Sequence, residues 1–286
     1  MPAWLIVIVV VAVLIIALVV RVRRPTEVQR LSKEVAVLME EGRLAEALPV
    51  AERAVEAARE ELEKWAHDLG SDHSNLIVTG QLAGAHRVLG RLHLRLENEG
   101  QAESAFKRAV DVLENAITEN DPLHQSEEPA PPHPDLPEVL GEFALFYSQR
   151  SRFQEAISTY RRALELESHI YGEDSPALAG TLINLAGCLD HSGRVEEAEE
   201  TLLRAISLLE PVASDEELLA FHLVAALNNL GLMYERHSQL EKARTNLQRA
   251  LVEAGRYLGD NHQPFVEMIQ GKLNEIGGSE TGGMKS

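Results

Sequence analysis

Thr181 to Glu210 reads TLINLAGCLDHSGRVEEAEETLLRAISLLE. Its apolar residues recur at helical spacing on both sides of a tight turn. Leu182, Leu185, Ala186 and Leu189 share one face of a first helix. Ser192-Gly193-Arg194 makes the turn, and Ala198, Leu202, Ala205 and Ile206 share one face of a second helix. The large residues fill space and the small ones let two helices approach closely. One such pair cannot bury its own apolar face, so it must stack on copies of itself.

The copies are present. With Ala198 as the reference, equivalent alanines are Ala47, Ala102, Ala156 and Ala243, and each is followed seven residues later by another: Ala54, Ala109, Ala163, Ala205 and Ala250. Between them lie Ala51, Phe106, Tyr160, Leu202 and Leu247. Twelve residues before the reference stand Val35, Gly90, Ala144, Ala186 and Gly231, preceded by Glu34, Leu89, Phe143, Leu185 and Leu230. Three residues further on come Leu38, His93, Tyr147, Leu189 and Tyr234. The second unit departs by placing His86 and His93 at apolar positions. The first departs with Glu34 and Val35, where a large apolar and a small residue belong.

This alternation of small and large residues resembles the tetratricopeptide repeat, a helix–turn–helix unit. Its spacing here is long, 42 residues from Ala156 to Ala198 and 45 from Ala198 to Ala243. The linker Tyr171-Gly172-Glu173-Asp174-Ser175-Pro176, echoed as LGDNHQP at 258–264 and LGSDHSN at 69–75, is similar to the long repeats of kinesin light chain and its bacterial relatives, as are NLA and NNLG with Asn184 and Asn229. The resemblance spans about residues 28–276. It implies an all-α solenoid of about five helical hairpins plus a capping helix, with the first helices lining a concave groove. It also implies that Asn184 and Asn229 face that groove, where an amide can donate to and accept from a ligand's backbone. An alternative for both is to hold neighbouring helices together inside the stack. The lysine–asparagine clamp of chaperone-binding relatives is not evident.

Residues 3–20, AWLIVIVVVAVLIIALVV, are eighteen apolar residues without a charge. At 1.5 Å per residue they span about 27 Å, close to the hydrocarbon core of a bilayer. Trp4 suits one interface, while Arg21, Arg23 and Arg24 follow the other end and Pro25 interrupts the helix. With a basic flank after the run, the segment reads as an uncleaved signal-anchor rather than a signal peptide. The positive-inside rule then keeps the arginines, and the repeats behind them, in the cytoplasm.

The formal net charge of −18 argues against a general nucleic-acid binder. Within the acidic sequence, Arg87, Arg91 and Arg95 form a cationic stripe at spacing four on a first helix. In the groove that the resemblance implies, it would receive an acidic or carboxylate-bearing segment; the alternative is a solvated helix face. Asp190, His191, Glu235 and Arg236 fall one turn beyond the asparagines and suit a polar rim. Residues 121–137 hold six prolines in seventeen positions and cannot be regular helix. They separate repeats within 28–120 from repeats within 138–276, a spacer that also permits two subdomains. Pro264 to Ile276 reads as a final helix packing Phe265, Met268, Ile269 and Leu273. Residues 277–286 are Gly/Ser-rich, the composition of a disordered tail.

No phosphate-binding GxxxxGK[ST], HExxH or CxxC motif occurs. Cys188 is alone and reads as a buried structural thiol. His67, Asp72 and His73 fall in a repeat linker and do not make a metal set. The sequence therefore predicts no enzyme and no cofactor. It predicts a single-pass membrane scaffold whose groove binds a protein or peptide, with Arg87, Arg91, Arg95, Asn184 and Asn229 as contacts and the bilayer contacted through residues 3–20. Two other readings stay open, an assembly or import factor of a membrane machine and a peptide-responsive regulator.

Overall fold

The computed structural model describes residues 26–69, 76–116 and 132–282. The expected anchor at 3–20, most of the proline-rich spacer and the last four residues of the sequence lie outside them. Among the described residues there are eleven α-helices and no strand: α1 (Glu27–Glu40), α2 (Leu44–Leu69), α3 (Leu76–Arg95), α4 (Glu99–Asn115), α5 (Leu136–Gln149), α6 (Phe153–Tyr171), α7 (Ala179–His191), α8 (Val195–Leu209), α9 (Glu217–Arg236), α10 (Leu240–Tyr257) and α11 (Gln263–Gly282). They gather into two units, one ending at His133 and one starting at Pro134.

Each hairpin closes in the same way. Its turn residue stands five positions before the reference alanine and has positive φ: Gly42 (74°), Glu97 (61°), Ser151 (57°), Gly193 (82°) and Ser238 (59°). One residue further on, the backbone N–H of Arg43, Asn98, Arg152, Arg194 or Gln239 donates back to the carbonyl of Leu38, His93, Tyr147, Leu189 or Tyr234 at 2.8–3.0 Å. This satisfies a carbonyl that the helix end would leave orphaned. An L-residue in this left-handed conformation costs about 1 kcal/mol relative to glycine. The Ser238→Gly substitution is therefore expected to raise stability by about 1 kcal/mol, read as a higher urea midpoint at unchanged slope.

The small residues do what their spacing implies. All five reference alanines are completely buried. At Gly90 an added Cβ would sit 3.1 Å from the Phe106 ring, and at Gly231 it would sit 2.8 Å from Cγ of Leu247. These glycines bring α3 onto α4 and α9 onto α10. In the carboxy-terminal unit the larger core positions are filled by Phe146, Tyr160, Leu182, Leu189, Leu227 and Leu230. In the amino-terminal unit Val28, Ala54, Ala58, Leu82 and Ala85 form one apolar cluster, and Val35, Ala47, Ala51 and Leu92 form another. Glu34 stays exposed beside the buried Val35, so α1 keeps the small-residue contact without the large one.

Among the described residues, α9 is the helix long and apolar enough to cross a membrane. Its Leu223, Val224, Leu227 and Leu230 are buried in the stack, so its apolarity serves the core. In α11, Ile269 and Ile276 carry the packing, whereas Met268, expected to pack, is half exposed. The two isoleucines stand seven apart, two helical turns, so they share the buried face and Met268 falls beside it.

Candidate concave binding face

Within each unit the first helices of successive hairpins touch one another: α1 with α3, α5 with α7, and α7 with α9. The second helices instead reach the next hairpin through its first helix, as α2 does α3 and α8 does α9. The side on which helices crowd closer is the inner, concave side. The first helices therefore line it.

Between α7 and α9 this face holds an open pocket of about 240 Å³. Gly187 and His191 contribute from α7, and Asn229, Leu232, Met233 and Arg236 from α9. Leu232 and Met233 give an apolar floor, and Asn229 a half-buried amide at its edge. Asn184, at the equivalent register of α7, is exposed.

In each unit cations link neighbouring helices on this side. Arg236 on α9 donates from Nε to Oδ2 of Asp190 on α7 at 3.0 Å and pairs with the same carboxylate through its Nη2, and His237 Nε2 lies 2.8 Å from Oδ1. The Asp190 side chain is almost wholly buried. Burial alone would raise its pKa, but the bonds from His237 and Arg236 hold it below the ordinary aspartate value. One helix on, Lys272 of α11 meets Glu235 of α9 at 2.9 Å. In the amino-terminal unit, Arg95 of α3 donates to the Met39 carbonyl of α1 at 2.7 Å. Met39, Asp190 and Glu235 all stand eight residues before their reference alanines. In these three pairs a cation on the following helix ties one helix to the next at one register.

This sorts the sequence candidates. Arg95 has an architectural bond, closing the last turn of α1. Arg87 is half buried. Arg91 is exposed and stands eleven residues before its reference alanine, the register of the pocket-lining Gly187 and Leu232. The arginines belong to the amino-terminal unit and the two asparagines to the carboxy-terminal one. These links are not legible in the sequence. The residues of the polar rim are, but the pairings join side chains 46 and 37 positions apart. Cys188 is buried as expected, and burial pushes its thiol pKa up.

Comparison with known proteins agrees with this geometry. The sequence profile of the tetratricopeptide repeat matches residues 135–210 and, in a second form, 223–264. An Arabidopsis thaliana protein named kinesin light chain-related 3 is 30% identical over 105 residues, 37% of this chain and 16% of that protein's length. The fold is similar to that of BtubC (BKLC) from P. vanneervenii, with a TM-score of 0.61 at 20% identity over 82% of this chain and 84% of the other. It is also similar to a Podosopora anserina protein of nearly identical TPR-like repeats, with a TM-score of 0.58 at 16% identity over 83% of this chain and all of the other. The hairpins over residues 135–210 and 223–264 therefore match the tetratricopeptide repeat, and the chain is similar to kinesin-light-chain-like proteins in part of its sequence and in its fold.

Proposed function

We propose that the protein is a membrane-tethered scaffold without catalytic activity, which holds a protein partner against its concave face. The open pocket between α7 and α9 carries this reading. It offers an apolar floor for one side chain of an extended segment; Asn229 in its lining and the exposed Asn184 at the equivalent register are the amides that would bond that segment's backbone. On the amino-terminal unit, Arg91 is the exposed cation at the groove register and suits an acidic stretch of the partner. Residues 3–20 supply the tether and put the repeats on the cytoplasmic side. Fixing the scaffold in the plane of a bilayer raises its effective concentration toward membrane-bound partners.

The test expresses the full-length protein in cells and follows it through alkaline carbonate extraction and affinity capture. The intact protein is expected to stay with the membrane pellet, and a variant lacking residues 3–20 to be released. A captured partner is expected to be lost when Asn229→Ala and Leu232→Lys are combined, with a drop in affinity of about tenfold or more, equivalent to about 1.4 kcal/mol. Release of the intact protein by carbonate would remove the tether. Undiminished capture by the double variant would remove the groove.

A further inference from the structure

The two histidines of the second hairpin mark a site that the groove does not use. Sixteen residues before the reference alanine the other four units carry Leu31, Leu140, Leu182 and Leu227, and the second carries His86. Nine residues before it they carry Leu38, Tyr147, Leu189 and Tyr234, and the second carries His93. Beside these histidines the amino-terminal unit is hollow. A cavity of about 440 Å³ lies between α2 and α4 over α3, and a second of about 300 Å³ continues it along the same trough. His86 and Arg108 line both. The trough is on the second-helix side, opposite the concave face.

Its chemistry is unlike that of a core void. Leu62, Leu82, Val112 and Ala116 make an apolar lining. His86 is only 4% exposed, and its imidazole Nδ1 has no hydrogen-bond partner. A buried, unpartnered imidazole is costly where leucine would serve. At the mouth stand Arg59, Arg108 and Asp111. Arg59 ion-pairs with Glu56 at 3.2 Å, whereas Arg108 has no hydrogen bond or ion pair among the described residues. The charge that reaches the floor is positive. Burial, then Arg108, then Arg59 depress the His86 pKa to about 4, so the ring is neutral and retains one N–H to donate.

We propose that this trough binds a small organic carboxylate, its apolar body over Leu62, Leu82 and Val112 and its anionic end between Arg108 and the imidazole of His86. Arg59 is engaged by Glu56, so Arg108 is the guanidinium left for a single carboxylate, with Asp111 beside it admitting no second anion. Glu52, at the far end of the second cavity, directs the anion toward Arg108. The carboxylate can belong to a free acid or to the carboxy terminus of a peptide, and the experiment separates the two.

The full-length protein is reconstituted in nanodiscs of neutral lipid and titrated with 4-phenylbutyrate, with its neutral amide, and with the peptide Gly-Ser-Gly-Phe bearing a free or an amidated terminus. Binding is read by saturation-transfer NMR. The acid is expected to bind about tenfold or more tightly than the amide, since a charge-assisted bond is lost in the latter. Arg108→Gln, at an exposed position, is expected to erase that preference. His86→Leu restores the residue of the other units at nearly the same volume, and is expected to weaken binding of the acid by removing the imidazole donor. Arg161→Gln on the other unit leaves binding unchanged. A free-terminus peptide that outcompetes phenylbutyrate assigns the site to peptide termini; the reverse order assigns it to free acids. Equal binding of acid and amide, binding indifferent to Arg108→Gln, or no binding by any probe overturns the proposal.

Discussion

Replacing Gly231 by leucine is expected to lower the melting temperature of the carboxy-terminal repeats by about 10 °C. The register leaves no room at this position. A Cβ alone would lie 2.8 Å from Cγ and 2.9 Å from Cδ2 of Leu247, and 3.3 Å from the main-chain oxygen of Ala243. Leu247 is itself fully buried. The added side chain must therefore push α9 from α10, the pair whose contact defines the last hairpin. Overpacking of this kind costs about 3 kcal/mol, which in a unit of this size shifts the transition by about 6–12 °C. Gly255→Ala is the matching control. It lies in α10 with nothing within 4 Å of its added Cβ. It is expected to stabilise by about 0.5–1 kcal/mol through helix propensity alone. Calorimetry on both variants checks the pair. A destabilisation from Gly255→Ala matching that of Gly231→Leu would show that the register argument is wrong.

The second large effect is acid sensitivity of the amino-terminal unit. In the unfolded state His86 takes up a proton near pH 6.5; in the fold it resists until about pH 4. The unfolded state therefore binds more protons across that window, and stability falls as the pH falls through it. His93, also buried, is depressed in the same direction by its burial, with Glu52 opposing. On the order of 2 kcal/mol is expected to be lost between pH 6.5 and 4, after allowing for the solvent that reaches the ring. His86→Leu should flatten this dependence and add about 1–2 kcal/mol at neutral pH, since the other hairpins carry leucine there. Urea titrations at pH 7 and pH 4.5 test this. With Trp4 replaced by phenylalanine, the remaining indole, Trp65 on α2, reports on this unit. An unchanged midpoint between the two pH values would contradict the assignment.

The same residues show how much of this protein can be read from its sequence. The reference alanines and the small residues twelve positions before them identify the hairpins, because close helix approach admits few side chains and leaves a visible period. Turns at Gly42 and Gly193 are legible for the same reason. The identical left-handed turns at Glu97, Ser151 and Ser238 are hidden, because the surrounding hairpin imposes a conformation that these residues do not advertise. Resemblance assigns Asn184 and Asn229 to the concave side. The structure gives them different exposures, Asn184 exposed and Asn229 half-buried, which the repeat pattern alone does not distinguish. Arg87, Arg91 and Arg95 look equivalent at spacing four. The structure distinguishes them, since Arg95 reaches the end of α1 and Arg91 does not. His86 is visible in the sequence only as an exception to the pattern; that it lines a trough between α2 and α4 depends on how those helices are spaced, which no local pattern records.

Site-specific photocrosslinking shows whether a partner lies along the first helices. Benzoylphenylalanine is placed in the full-length protein, in cells, at Arg91, Asn184 or Asn229 on the concave side, and at Arg249 on second helix α10. Irradiation is predicted to give the same partner adduct from Asn184 and Asn229, with Arg91 also labelling an acidic segment, and none from Arg249. Adducts from Arg249 with none from the concave positions would place recognition on the opposite face and contradict the account.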